Sequence, residues 1–352
     1  MKNKIIVFTF LGYIFIFGIL GIVFKDMEIS YSERRKLKTF PNFSFTNTYV
    51  SDLDKYFLDH FPFRDTFRSI KAKFNYNVLN KLDNNGIYLK DNYIFKSLYP
   101  TNNSSIDKFI NVVNKLGSDF KGNKYLMVIP DKNYYLNDDN FLHIDYEYLY
   151  NKMDDIGFIN IDIRDIMKLD DYYYTDTHWK QENLDKVIEY MGSIMDFKYV
   201  KDGYIKNTYD KFYGIYYGES ALGRNPEVLS YLTNDVIDNA YVKYLENDKL
   251  DSVYNINNLS SMDSYNVYLD GASSFIEIYN DNSISDRELI IFRDSFGSSI
   301  APLLIKYYSK ITLIDNRYIS KDNYSDLIEI KNQDVLFMYS TLIVNNSSTL
   351  KG

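Results

Sequence analysis

An α/β fold, with a parallel sheet flanked by helices and one membrane-spanning helix ahead of it, is what this sequence predicts. Three observations carry the expectation. An unbroken apolar run lies near the amino end, and from about residue 104 short apolar strands alternate with amphipathic helices. Three further apolar strands then gather around a helix late in the chain. Alternation of this kind is the pattern of a parallel sheet covered on both faces.

The apolar run "IIVFTFLGYIFIFGILGIVF" covers residues 5–24. As a helix rising about 1.5 Å per residue, it matches the roughly 30 Å hydrocarbon core of a bilayer. Lys2 and Lys4 precede it, and "KDMEISYSERRKLK" follows it without a small-x-small cleavage site. The expectation is an uncleaved signal anchor at the cell membrane, single-pass, with the bulk of the chain extracytoplasmic. Lys2 and Lys4 favour that orientation, whereas Lys25, Arg34, Arg35, Lys36 and Lys38 oppose it.

Residues 1–29 are thus read as tail and anchor, and residues 30–100 as a juxtamembrane linker with a helical lead-in. "ERRKLKTFPNFS" reads as extended, and Phe67, Ile70, Phe74 and Val78 recur at helical spacing after a break at Pro62. Residues 101–352 form the α/β domain. Ser104 or Ser105 can cap a helix bearing Ile106, Phe109, Ile110, Val113 and Leu116 on one face. Strands are expected at 124–130, 158–163, 287–292, 310–315 and 334–339. Helices are expected over 147–153, through Leu184, Val187, Ile188, Met191 and Met195, and from about Ser298. Residues 200–285, rich in Tyr, Asn, Asp and Ser, read as a less regular insertion completing the same domain.

Composition narrows the chemistry. The chain has 352 residues and a net charge of −8 with both signs interspersed, which argues against a nucleic-acid surface. It has no cysteine, so disulfides and thiolate metal sites are excluded. The 36 tyrosines fit either a sugar-stacking surface or codon bias. With only three histidines, any imidazole base must be His60, His143 or His178.

Two junctions hold the candidates. "YTDTHW" places Asp176 two residues before His178, where a carboxylate can hold Nδ1 and leave Nε2 free as a base. "RDSFGSS" places Ser295 between a strand and a helix, with nearby N–H groups able to face an oxyanion and Gly297 permitting close approach. Each has a structural alternative: "DSFGSS" as a helix cap, and "DTH" as a capping aspartate beside a surface histidine. Asp170, Asp171, Asp176 and His178 also lie close together, but the spacing is not that of a metal site, and no metal is expected.

At these residues the chain resembles the DHHW family and the alginate O-acetyltransferase AlgX/AlgJ-like proteins, whose catalytic domains are SGNH hydrolase-like. The resemblance rests on "TDTHW" with the downstream "RDSFGSSIAPLLIKYYSKITLIDNRYI". "ERRKLKTFPNFS", "YFLDHFPFRDTF", "VIPDKNYYL" and "DKFYGIYYG" add to it, and all lie in the family's order. It implies a permuted SGNH-like domain, with the serine after the Asp–His block, in which Ser295 takes the acyl group and Asp176 and His178 are the acid–base pair. The family's Gly and Asn blocks are not obvious here. Gly214 is one candidate oxyanion contributor and the Ser295 N–H another, with Gly297, Arg293 and Tyr318 as further candidates for oxyanion or substrate contacts. Lys132 and Arg317 lie in family-like segments without an assigned role.

The implied activity is cell-surface O-acyl transfer, with acetyl as the expected group and an envelope polysaccharide or other glycan as acceptor. A membrane-bound acyltransferase is the implied donor partner, and no cofactor is needed. A carbohydrate esterase using the same residues, or a non-catalytic glycan-binding scaffold, would fit the same sequence.

Overall fold

The computed structural model describes residues 2–136, 140–201, 203–245 and 247–352. The chain forms two compact units, one of residues 1–87 with 215–224 and the other of residues 88–214 with 225–352.

In the first unit, helix α1 (Lys2–Val23) is long and apolar enough to cross a membrane. Helices α2 (Asn47–Asp59) and α3 (Arg64–Asn77) follow, separated at Pro62, whose fixed φ and missing N–H end a helix. Of the segment expected as an extended linker, residues 37–44 carry no helix or strand, while its start is paired. Ile29–Ser30 pairs antiparallel with Arg35–Lys36, and the turn between them carries the charges that fasten it. Arg35 clasps Asp59 through Nη1–Oδ2 at 2.9 Å and Nη2–Oδ1 at 2.5 Å, holding that carboxyl down at about 2. Glu33 meets Arg64 at 2.7 Å and Arg68 at 3.2 Å.

The second unit is built on an eight-stranded sheet. Its strands, in chain order, are β1 (Lys124–Ile129), β2 (Ile159–Asn160), β3 (Tyr241–Tyr244), β4 (Asn247–Asp251), β5 (Phe275–Tyr279), β6 (Glu288–Arg293), β7 (Lys310–Ile314) and β8 (Asp334–Ser340). They lie in the order β4-β3-β5-β7-β6-β8-β1-β2. β7, β6, β8, β1 and β2 are mutually parallel, while β5, β3 and β4 add antiparallel to the β7 edge. Residues 200–285 are therefore more ordered than their composition suggests. They supply three strands of the main sheet and a separate hairpin, Ile205–Phe212 with Glu227–Thr233.

Successive residues point to opposite faces of a strand, and the core divides accordingly. Met127, Ile129, Leu289 and Ile291 pack with α6 (Asp185–Met195) and α7 (Gly297–Leu304). Leu126, Val128, Ile290 and Phe292 pack with α4 (Asn103–Gly117) and α5 (Tyr146–Asp154). Two local expectations are corrected. The cap of α4 is Asn102, whose side chain accepts from the Ser105 N–H, rather than either serine. The expected strand over 158–163 shortens to Ile159–Asn160; the Ile161 N–H still donates to the Leu126 carbonyl at 2.8 Å, and Ile161 and Ile163 are buried in the core.

Parallel strands point their carboxyl ends the same way. From β6 the chain moves out to β7 and then returns to β8, whereas β1 leads outward to β2. The crevice at the ends of β6, β8 and β1 is thus where the winding changes direction, the usual location of a site in an open α/β sheet.

Candidate active site

The corner after β6 answers whether Ser295 is only a helix cap. Asp294 does the fastening: its Oδ1 accepts the Phe296 N–H at 3.0 Å, and its Oδ2 accepts the Ser340 N–H at 2.8 Å and hydroxyl at 2.6 Å. Asp294 thereby ties the end of β6 to the end of β8. No side chain caps α7, so the Ser295 hydroxyl is left for another partner.

That partner is His178. "YYYTDTHW" folds as a tight hairpin closed by the Tyr172–Trp179 pair and by Tyr173 N–H donating to the His178 carbonyl at 3.1 Å. At its tip Asp176 Oδ1 accepts from the His178 N–H at 3.0 Å and from Nδ1 at 2.6 Å. With Nδ1 protonated toward the carboxylate, Nε2 accepts the Ser295 Oγ–H at 2.7 Å. Asp176 is 1% exposed and His178 9%, while Ser295 is half-buried, so the serine is the member open to a ligand.

Packing fixes the imidazole plane. The Tyr265 ring stacks on it at 3.9 Å between centroids and 11° between planes, with Phe296 on another side at 4.9 Å. Ser299, on α7, gathers the neighbours: its Oγ accepts from Trp179 Nε1 and from the Tyr265 hydroxyl, both at 2.8 Å. Gln181 Nε2 donates to the Ser299 carbonyl at 2.7 Å. The histidine hairpin and the serine helix are therefore bolted together through Trp179, one residue after His178, and Ser299, four residues after Ser295. Tyr265 and Ser299 carried no sequence signal, since one is among many tyrosines and the other reads as an ordinary helix serine.

The hairpin tip is also held from both sides. Lys132, fully buried just after β1, donates from Nζ to the carbonyls of Tyr173 (3.0 Å), Tyr174 (3.2 Å) and Asp176 (2.8 Å). Glu227 accepts the N–H groups of Tyr174 and Thr175, each at 2.7 Å, and the Thr175 hydroxyl. Burial pushes the Lys132 ammonium down to about 7 against the opposing pull of Glu227, Asp176 and Asp131, and pushes the Glu227 carboxyl up.

The remaining candidates have other occupations. Gly214 donates its N–H to Thr175 Oγ1 at 2.8 Å, which removes it as a free oxyanion donor. A Cβ there would stand 2.2 Å from the Thr175 carbonyl oxygen, so its place is to let the segment that follows the Ile205–Phe212 strand lie against the hairpin. Gly297 donates to the Asp294 carbonyl at 3.1 Å, and a Cβ on it would lie 2.8 Å from that of Arg293, so the close approach is to a side chain. Arg293, 1% exposed, donates to Ser298 Oγ (3.1 Å) and to the carbonyls of Asp294 and Ser273 (both 3.4 Å), a brace for the corner. Tyr318 lies on the surface beyond β7, beneath the Arg317 guanidinium, which Asp315 holds at 2.6 Å. Among the described residues, the Ser295 N–H is given to no other group. Asp170 and Asp171 turn away from His178, toward the Tyr93 hydroxyl and Lys186.

A parallel α/β sheet with a Ser–His–Asp chain at its winding switch defines the class to which fold and site point. No protein-family profile and no curated protein sequence matches the chain. Solved structures do. A DHHW family protein from Eubacterium siraeum is similar at a TM-score of 0.62 and 19% identity, covering 77% of this chain and 97% of its own. Bacillus cereus PatB1 with a sulfonyl adduct is similar at 0.59 and 18%, covering 73% and 97%. The O-acetyltransferase domain of Pseudomonas putida AlgJ is more distant, at 0.42 and 10%, covering 74% and 92%. At these identities the first two share the fold of this chain.

Proposed function

We propose that this chain is a membrane-anchored, extracytoplasmic O-acyltransferase that carries an acyl group, with acetyl the leading candidate, on Ser295 and passes it to a hydroxyl of an envelope glycan. The observation that carries the reading is the continuous chain Ser295 Oγ to His178 Nε2, 2.7 Å, and His178 Nδ1 to Asp176 Oδ1, 2.6 Å. Both lengths lie within the reach that proton transfer needs.

His178 takes the Ser295 proton as Oγ attacks the donor carbonyl, and Asp176 holds the imidazolium that forms. The Ser295 N–H is the group available to the tetrahedral oxyanion. Collapse expels the donor's leaving group, protonated by His178, and leaves the acyl-serine. A sugar hydroxyl then gives its proton to His178 and attacks the ester, releasing the acylated glycan and restoring the serine.

The shared fold with the DHHW family protein and with PatB1 supports this reading. PatB1 carries a sulfonyl adduct, and reagents that leave one react with activated nucleophiles, the role we assign to Ser295. A separate membrane-bound acyltransferase is the proposed acyl donor, and α1 would hold the domain beside it.

Intact-protein mass spectrometry after exposure to a chromogenic acetyl ester tests the proposal, with an oligosaccharide panel as acceptors. The expected result is one acetyl adduct on wild type, absent from Ser295→Ala, with acetate recovered on sugar. Acetate recovered only in water would assign the same residues to a carbohydrate esterase. Neither adduct nor turnover would leave a glycan-binding scaffold.

A further inference from the structure

Helix α3 carries an apolar face that the described residues of its own unit leave largely exposed. Phe67, Ile70, Phe74 and Val78 fall at helical spacing along one stripe and are 39%, 57%, 49% and 59% exposed. The opposite side of α3 is engaged with its own unit. Arg64 and Arg68 bind Glu33, and Arg68 Nη2 donates to the Gly218 carbonyl at 2.9 Å. Ala72 and Asn75 are buried there.

Contacts with α1 say what the open face meets. The Phe17 ring stacks on Phe61 at 5.2 Å and 7° and lies 5.8 Å from Phe67, while Phe24 meets Phe63 edge-on at 5.4 Å. Phe24 ends the apolar run. At 1.5 Å per residue, Phe17 sits about 10 Å below it along the helix. If α1 spans the bilayer, the α2–α3 elbow therefore reaches from the outer boundary of the hydrocarbon, where Phe63 meets Phe24, to about 10 Å inside it, where Phe61 and Phe67 meet Phe17, the depth range in which interfacial helices settle.

The elbow suits that depth. Pro62 has no N–H to satisfy, the Arg64 N–H donates to the Phe61 carbonyl at 3.0 Å, and the Phe67 N–H donates to the Phe63 carbonyl at 3.1 Å. Lys71 and Lys73, both exposed, flank the stripe, where long side chains can reach the headgroups.

We propose that the Phe61–Phe63 elbow and the Phe67–Ile70–Phe74–Val78 face of α3 form a second membrane attachment, sunk into the outer leaflet beside α1. This rests on the reading of α1 as a membrane span. Two attachments restrict rotation about the anchor and fix which side of the first unit faces the lipid.

The absence of cysteine makes the test direct. Full-length protein carrying a single cysteine at Ile70→Cys, Phe74→Cys, Asp65→Cys or Ile14→Cys is labelled with an environment-sensitive fluorophore. It is then reconstituted into phosphatidylcholine–phosphatidylglycerol vesicles with or without a nitroxide on the lipid chains. Probes at 70 and 74 should lose at least about half their emission to the lipid quencher and resist aqueous iodide, with the probe at 65 behaving oppositely. Probes at 70 and 74 quenched by iodide alone would place the face in water and overturn the proposal. Protection from both quenchers would mean a protein cover and overturn it equally. The probe at 14 separates the two readings: quenched by lipid while 70 and 74 are not, it leaves the anchor standing and removes the second attachment. Untouched by lipid, it removes the anchor itself.

Discussion

The imidazole of His178 lies flat against the ring of Tyr265, 3.9 Å between centroids, while its two nitrogens point in the ring plane to Asp176 and Ser295. Stacking of this kind fixes the plane of a base that must accept and return a proton without tumbling. Tyr265→Leu should lower kcat by about tenfold through misorientation. Tyr265→Phe keeps the stack and loses only the hydroxyl bond to Ser299, so it should retain near-normal kcat and lose about 1 kcal/mol of stability. Ester turnover with urea denaturation of the same two variants separates orientation from stability.

Asp176→Asn should be far more damaging to rate than to folding. The amide can still accept one hydrogen bond but offers no negative charge to an imidazolium, and its NH2 favours the wrong tautomer. A fall of about a thousandfold in acylation rate is expected, with the urea midpoint little changed. Pre-steady-state release of the chromophore measures the step directly. A rate within a few-fold of wild type would remove Asp176 from the proposed chemistry.

Much of the architecture could be read from the chain because burial on both faces of a sheet leaves continuous apolar strands. β1, β6, β7 and β8 lie within a residue or two of where their apolar runs put them. Ser295, His178 and Asp176 stood out for a different reason: each is a reactive type at a junction between elements, and histidine is scarce. What fixes those groups was not legible. Lys132 lies in a family-like segment, but nothing around it in sequence assigns its role, which is to sit buried under three carbonyls 41 to 44 residues away in sequence. Tyr265 lies in a stretch without periodicity. The antiparallel strands β3 and β4 are short and rich in polar and aromatic residues, so composition hid their alternation.

Gly214→Ala tests how closely the hairpin must be met. The added methyl would lie 2.2 Å and 2.3 Å from the Thr175 carbonyl oxygen and carbon and 2.4 Å from the Asp176 nitrogen, all backbone atoms that cannot rotate away. The hairpin tip or the segment carrying Gly214 must move. A stability loss of about 1–3 kcal/mol is expected, with kcat falling more than KM rises because Asp176 shifts relative to His178. Ester kinetics beside thermal unfolding would show it, and wild-type kcat would mean that the tip tolerates the displacement.

Lys132 should write its burial into the pH dependence of stability. Its pKa is ordinarily 10.5 and is pushed down to about 7 in the fold, chiefly by desolvation. Between those two values the unfolded chain binds the proton and the folded chain does not, so on this group's account stability rises with pH across that window. Below about 7 the fold must carry a buried ammonium, and the contribution is at its least. Lys132→Met removes the titration and also leaves the carbonyls of Tyr173, Tyr174 and Asp176 without their donor, a loss of about 2–4 kcal/mol. The stability difference between wild type and Lys132→Met should therefore widen from pH 7 to pH 9, by up to about 1.4 kcal/mol per unit. Urea denaturation at pH 6, 7.5 and 9 reads it. A constant difference would mean that Lys132 stays protonated throughout, held by Glu227 and Asp176. A narrowing one would mean that the ammonium's third donor outweighs its desolvation.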